Sequence, residues 1–149
     1  MYKQVIIVRK DLNMSVGKIS GQVSHASMAF LTTEIQNNIS KWITSNGNTY
    51  YSTELTFEQD IYEQWIGDVF TKVVLGAKNK NQLLKAKAKA EELGMVEGKD
   101  FFLIYDCCRT ELEPEIIDEN GIGRTLTCIG FRPMSDEIID QIGKKYQLL

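Results

Sequence analysis

The chain has 149 residues, 43% of them hydrophobic and 25% charged, enough for one domain with a real core and close to the average for folded proteins, which excludes a disordered chain. Its longest apolar run, Phe101–Tyr105, is far short of the roughly 20 residues a membrane span needs, and no basic-then-apolar leader opens the chain, so the expected location is cytoplasmic with no membrane partner. The net charge of −3 is uneven: residues 1–30 and 71–110 each carry a net +3, while 31–70 and 111–149 carry −5 and −4, so a basic face can coexist with an acidic total.

In chain order, Gln4–Arg9 is a β-rich run read as a strand buried on both faces. A loop follows to Gly17, with Ser15 as the N-cap of a helix that fades near Gln36 and turns Ile19, Val23, Ala26 and Phe30 toward the core. Asn37–Thr53 is polar with flanking aromatics, and Asn46-Gly47 suits a two-residue turn, so this stretch is either a small β-hairpin or an ordered loop. Thr56 and Gln59 resemble a capping box for a short helix that stops at Gly67. Lys72–Ala77 is a second strand, Asn81–Leu93 a helix ended by Gly94, Phe101–Tyr105 a third strand and Thr125–Phe131 a fourth. Ser135 caps a last helix reaching about Tyr146.

Strands separated by helices predict an α/β domain, a three-layer α/β/α sandwich, and the direct connection between the third and fourth strands predicts one antiparallel strand. Three cysteines, an odd number, with Cys107 and Cys108 adjacent and His25 the only histidine, fit neither a disulfide framework nor zinc-ligand spacing; no metal and no cofactor is expected.

Lys18, Gln22 and His25 fall within about 60° of arc on the first helix, at the margin of its apolar stripe, where a cleft wall would stand; Ala29 continues that face and is small. Lys18 in a first turn opposes the helix dipole, which disfavours a cation there by about 0.3–1 kcal/mol. It is either a solvated lysine tolerated at small cost or part of a positive, donor-rich corner for an oxyanion or phosphate. His25 alone is more readily a satisfied, half-buried side chain than a catalytic one. Asp106 ends the run FFLIY, with Arg109 and Thr110 just beyond, and ligands of open α/β sheets bind beyond the carboxyl ends of parallel strands. If the first and third strands are parallel neighbours, Lys18, Asp106 and Thr110 converge on one edge.

The spaced residues Val8, Arg9, Asp11, Leu12, Met14, Gly17, Lys18, Gln22, His25 and Ala26, then Asp106-Cys107-Cys108-Arg109-Thr110 after FFLIY, then Thr125 through Gly130, resemble the type II peptidyl-tRNA hydrolases. The resemblance spans nearly the whole chain, residues 1–149, except an insertion at about 36–55. It implies a four-stranded mixed sheet between helical layers and a metal-free hydrolase that cleaves the ester joining a peptide to the 3′ ribose of tRNA. It implies catalytic roles for Lys18, Asp106, Thr110 and His25, and substrate contacts from Gln22, Arg109, Thr125 and Gly17. The alternative is a non-catalytic member of the fold that binds tRNA or a protein. Peptidyl-tRNA would be held through phosphates by the basic segments Lys3, Arg9, Lys10 and Lys18, and Lys78, Lys80, Lys85, Lys87 and Lys89. Two departures stand out. Cys108 occupies the family's glycine position, and the insertion, with Trp42, Tyr50 and Tyr51, could stack on bases, cover the cleft, form a homodimer contact or be a tolerated surface addition.

Overall fold

In the computed structural model, which describes residues 1–149, the chain builds a mixed sheet around β1 (Tyr2–Arg9). Side chains of β1 alternate between two clusters, as a strand covered on both faces requires. Val5 and Ile7 pack with Leu83 and Ala86 of α3 (Lys80–Glu92) and with Ile139 and Ile142 of α4 (Asp136–Gly143). Ile6 and Val8 pack with Ala26 of α1 (Val16–Asn37).

On one side β1 pairs in parallel with β4 (Lys72–Ala77), from Gln4 opposite Lys72 to Arg9 opposite Ala77. On the other it pairs antiparallel with β7 (Gly123–Phe131), and β7 pairs antiparallel with β5 (Phe101–Asp106). The α/β class and the antiparallel strand are therefore present, but β5 is not the neighbour of β1. It runs the same way with β7 between them.

The sheet has seven strands, not the four expected. The additional three, β6 (Ile116–Ile117), β8 (Met134–Ser135) and β9 (Gln147–Leu148), are two residues each, too short to show any period in the sequence.

Two contacts fix α1 across the sheet. A Cβ at Gly130 would lie 2.5 Å from the Ala26 carbonyl oxygen, so only glycine lets helix and strand approach this closely. Gln4, fully buried in β1, donates to the Ser27 carbonyl at 2.9 Å and accepts from the Ser27 hydroxyl at 2.7 Å. Ser15 is the N-cap of α1, its hydroxyl accepting from the Lys18 N–H.

The insertion is a hairpin of β2 (Ser40–Ile43) and β3 (Thr49–Ser52). Its turn is not a two-residue one. Gly47 (φ 87°) donates to the Thr44 carbonyl and Thr44 to the Asn48 carbonyl, the pattern of a three-residue loop with glycine in the left-handed position. The expected Thr56 cap is also displaced. Helix α2 (Gln59–Ile61) starts after Glu58, with no side-chain cap, and widens into a π turn at Tyr62–Ile66. That turn buries Trp65 edge-on against Phe30, with the indole N–H on the Thr71 carbonyl at 2.7 Å. No helix is long and apolar enough to cross a membrane.

Candidate active site

The site forms where α1 begins and β5 ends. The Lys18 ammonium donates to Asp106 Oδ1 at 2.8 Å and to the Thr110 hydroxyl at 3.1 Å. Both charges are largely withdrawn from water, the Lys18 side chain 15% exposed and that of Asp106 7%. The Gln22 amide donates to the same Oδ1 at 3.2 Å. The carboxylate only accepts, so the amide NH2 must face it, which leaves Gln22 Oε1 to accept from the Thr127 hydroxyl at 2.6 Å below. Asp106 Oδ2 accepts the Cys108 N–H at 2.9 Å. Burial would raise the Asp106 carboxyl, but the Lys18 ammonium and the Cys108 amide outweigh it and hold the group below its usual range.

The backbone at position 108 explains why glycine suits it. Cys108 has φ 55°, a left-handed conformation that strains residues with a Cβ and redirects the chain just after the N–H that bonds the carboxylate. Its thiol lies 3.3 Å from the Thr125 hydroxyl.

Other residues named from the sequence are distributed differently. His25 is exposed beside Gln22 along the cleft and makes no side-chain hydrogen bond. Arg109 is exposed in the loop between Asp106 and Thr110 and forms no ion pair. Gly17 lies on the outer side of the first turn of α1, where an added Cβ would meet nothing within 4 Å, so packing does not require glycine there. Thr125 stands under the site rather than in it. It is 1% exposed, and its hydroxyl donates to the Glu113 carbonyl at 2.6 Å and accepts the Glu115 N–H at 3.1 Å.

Three contributors were not legible in the sequence. Glu111 accepts both the Ser15 N–H (2.8 Å) and the Ser15 hydroxyl (2.6 Å), fastening the loop after β5 to the start of α1. Those bonds hold its carboxyl below the usual range, as an acid at a helix N-terminus should be. Thr127, two residues past Thr125, orients Gln22. Lys145 belongs to a basic groove described next.

The basic residues sort into two groups. Arg9 is not free for a partner: it is 5% exposed, forks onto Asp11 and bonds Glu115 and the Leu126 carbonyl. Lys3 pairs with Asp140, Lys18 with Asp106, Lys80 with Glu115, Lys87 with Glu91 and Lys89 with Glu92. Lys10, Lys78, Lys85 and Lys145 have no acidic partner. They line two adjoining hollows, of about 160 and 270 Å³, that share Gln82, Lys145 and Tyr146 and contain no acidic side chain. Lys10 and Lys78 follow the carboxyl ends of β1 and β4, the same sheet edge that carries Lys18 and Asp106. No group of three or more His, Cys, Asp and Glu side chains is close enough to hold a metal ion.

A family model described as peptidyl-tRNA hydrolase PTH2 matches residues 2–149. A peptidyl-tRNA hydrolase of Methanopyrus kandleri is 35% identical over 150 aligned residues, covering 100% of this chain and 99% of that one. Proteins of the same name from Saccharolobus islandicus and Thermoplasma acidophilum are 28% and 29% identical, over 100% and 99% of this chain and 100% and 97% of theirs. Among solved structures, a protein of unknown function from Agrobacterium tumefaciens superposes with a TM-score of 0.52 at 15% identity, over 99% of this chain and 97% of that one, a likeness of fold alone.

Proposed function

Because the chain belongs to the peptidyl-tRNA hydrolase PTH2 family, we propose that it hydrolyses the ester between a peptide and the 3′ ribose of tRNA, a cytoplasmic reaction of translation that frees the tRNA. The observation that carries the reading is the water-poor contact of Lys18 with both Asp106 and Thr110 at the start of α1. The two clusters on either side of β1 support the three-layer arrangement that sets this contact at one sheet edge.

Water attacks the ester carbonyl, the carbon–oxygen bond to the ribose breaks, and the products are a peptide carboxylate and a free 3′-hydroxyl. Negative charge develops on the carbonyl oxygen in the transition state. Lys18 is the donor for that oxygen, assisted by the Gly17 N–H, which capping does not use and which no Cβ shields. Oδ1 of Asp106 is taken by Lys18 and Gln22, leaving acceptor capacity on Oδ2 beside the Cys108 N–H for the attacking water. A carboxylate held below its usual range is a weak base, so its larger contribution is alignment of the water and of Lys18. The Thr110 hydroxyl accepts from Lys18, which leaves its proton free for the water or the departing ribose oxygen. Gln22, His25 and Arg109 contact the ester and the terminal ribose. Thr125 serves them indirectly, by holding Cys108 and the strand beneath.

The tRNA phosphates lie along Lys10, Lys78, Lys85 and Lys145. For four such contacts, affinity falls on the order of a hundredfold between 50 and 200 mM salt. Binding of labelled tRNA measured across that range, with Lys78→Glu/Lys145→Glu beside the wild type, tests it. A steep fall, shallower in the double variant, supports the reading, and a flat response in the wild type removes the groove from it.

A further inference from the structure

Between α1 and β5 a trough of about 380 Å³ starts at the site and leads away from it. One wall is Gln22, His25, Ala29 and Thr32, a single face of α1. The other is the unbroken run of residues 103–107. Side chains alternate between the faces of a strand, so what consecutive residues share is their backbone edge.

That edge is open beyond Phe101, because β5 is the outermost strand on its side and pairs with β7 apart from a single bridge between Phe101 and Glu97. The Phe101 carbonyl accepts the Gly98 N–H at 2.8 Å on the outer side. The alternation of an antiparallel pair then turns the Leu103 N–H outward as well. An unpaired strand edge beside a trough is the setting in which an extended peptide adds as a further strand. Charge selects the occupant. The unpaired lysines line the groove by β4, α3 and α4, whereas the one basic side chain that lines the trough, Arg124, is paired with Asp118, so the polyanion and the uncharged main chain of a substrate have separate places.

We propose that the trough binds the peptide of peptidyl-tRNA as a strand parallel to β5, its last residue at Lys18 and Asp106 and its preceding residues running toward Leu103 and Thr32. The proposal rests on the reading of the protein as a peptidyl-tRNA hydrolase. Recognition through main-chain hydrogen bonds makes it indifferent to peptide sequence and favours longer peptides. Leu103 lies three residues from Asp106, about 10 Å, and Ala29 is about 10 Å along the helix from Gln22. An N-acetyl-aminoacyl group, about 7 Å long, stops short of both.

The experiment compares kcat/KM for N-acetyl-alanyl-tRNA and N-acetyl-tetraalanyl-tRNA in the wild type, in Leu103→Pro, which deletes the outward N–H, and in Ala29→Phe, which fills the trough. The expected result is a preference of the wild type for the longer substrate on the order of tenfold, the worth of one or two main-chain hydrogen bonds. Both variants should lose that preference while cleaving the short substrate at near the wild-type rate, which also reports that they fold. Equal cleavage of both substrates by the wild type overturns the proposal, as does a preference that survives in both variants. A loss of equal size on the two substrates in the folded Ala29→Phe protein overturns it too, because the trough would then hold the tRNA end. Failure of the wild type to cleave either substrate would instead sink the hydrolase reading itself.

Discussion

Helix α1 joins two regions that treat exposed and buried groups in opposite ways. At its first turn a cation sits where the helix dipole disfavours it, yet Lys18 is withdrawn from water and engaged by a carboxylate and a hydroxyl from the loop after β5. At its far end, about 33 Å along a 22-residue helix, the β2–β3 hairpin leaves Trp42, Ile43, Tyr50 and Tyr51 between 45 and 63% exposed. There Trp42 stacks on Tyr50 with ring centroids 4.8 Å apart and its indole N–H meets the Ser52 hydroxyl, so the hairpin supplies its own contacts. The first region is over-determined by ties to distant parts of the chain, while the second is held by local ones. A residue in the first therefore acts through precise placement, and the second can be altered without moving the reaction centre.

Three point substitutions, a pH series and a loop replacement probe that contrast. The largest effect belongs to Asp106→Asn. Removing the charge that aims Lys18 should lower turnover roughly 10²–10³-fold, the scale seen when a transition-state donor is lost, as measured by release of N-acetyl-aminoacyl groups from tRNA. Next is Cys108→Val. A β-branched side chain at φ 55° adds crowding to the strain that the Cys108 Cβ already carries and should destabilise the protein by on the order of 1 kcal/mol in chemical denaturation, whereas Cys108→Gly, which removes that strain, should not destabilise it.

Much of this frame was legible because it is periodic. The β4 range Lys72–Ala77 and the bounds of α1 and α3 follow from apolar spacing and the residues at their ends. Pairing between strands distant in sequence leaves no such trace, so the place of β7 between β1 and β5 was missed. The convergence of Lys18 on Asp106 still held. Both lie at the same sheet edge, and α1 crosses β7 at Gly130, where the missing Cβ allows contact with Ala26. Glu111 and Thr127 were invisible for a related reason, since their partners are 96 and 105 residues away. The lysines were legible as a count, but not as paired or free. Burial of Arg9 with Asp11 and Glu115 is a tertiary fact.

The pH series reads the Asp106–Lys18 contact as stability. The carboxyl is held below its ordinary value of 3.8, so its contribution is fully present above that pH and is lost as the pH falls through the lower folded-state value. The difference in Tm between wild type and Asp106→Asn should accordingly be constant near neutrality and shrink below about pH 4. A difference that grows as the pH falls would mean that the charge is not stabilised in the fold. The smallest effect is expected from replacing Ile39–Ser52 with a short glycine linker. Turnover should stay within about twofold, since shortening a surface loop changes its closure entropy by only about 1 kcal/mol and the hairpin is paired within itself, away from the site. A collapse of turnover in that deletion would dissolve the distinction between the two ends of α1.

The central claim is that Lys18 is placed for ester hydrolysis. It is tested most directly by release of N-acetyl-aminoacyl groups from tRNA by the wild type and by Lys18→Ala, each checked for folding by circular dichroism and for tRNA affinity at one salt concentration. The account predicts turnover by the wild type and its loss by two or more orders of magnitude in a folded variant that still binds tRNA. Near-wild-type turnover by folded Lys18→Ala would contradict it.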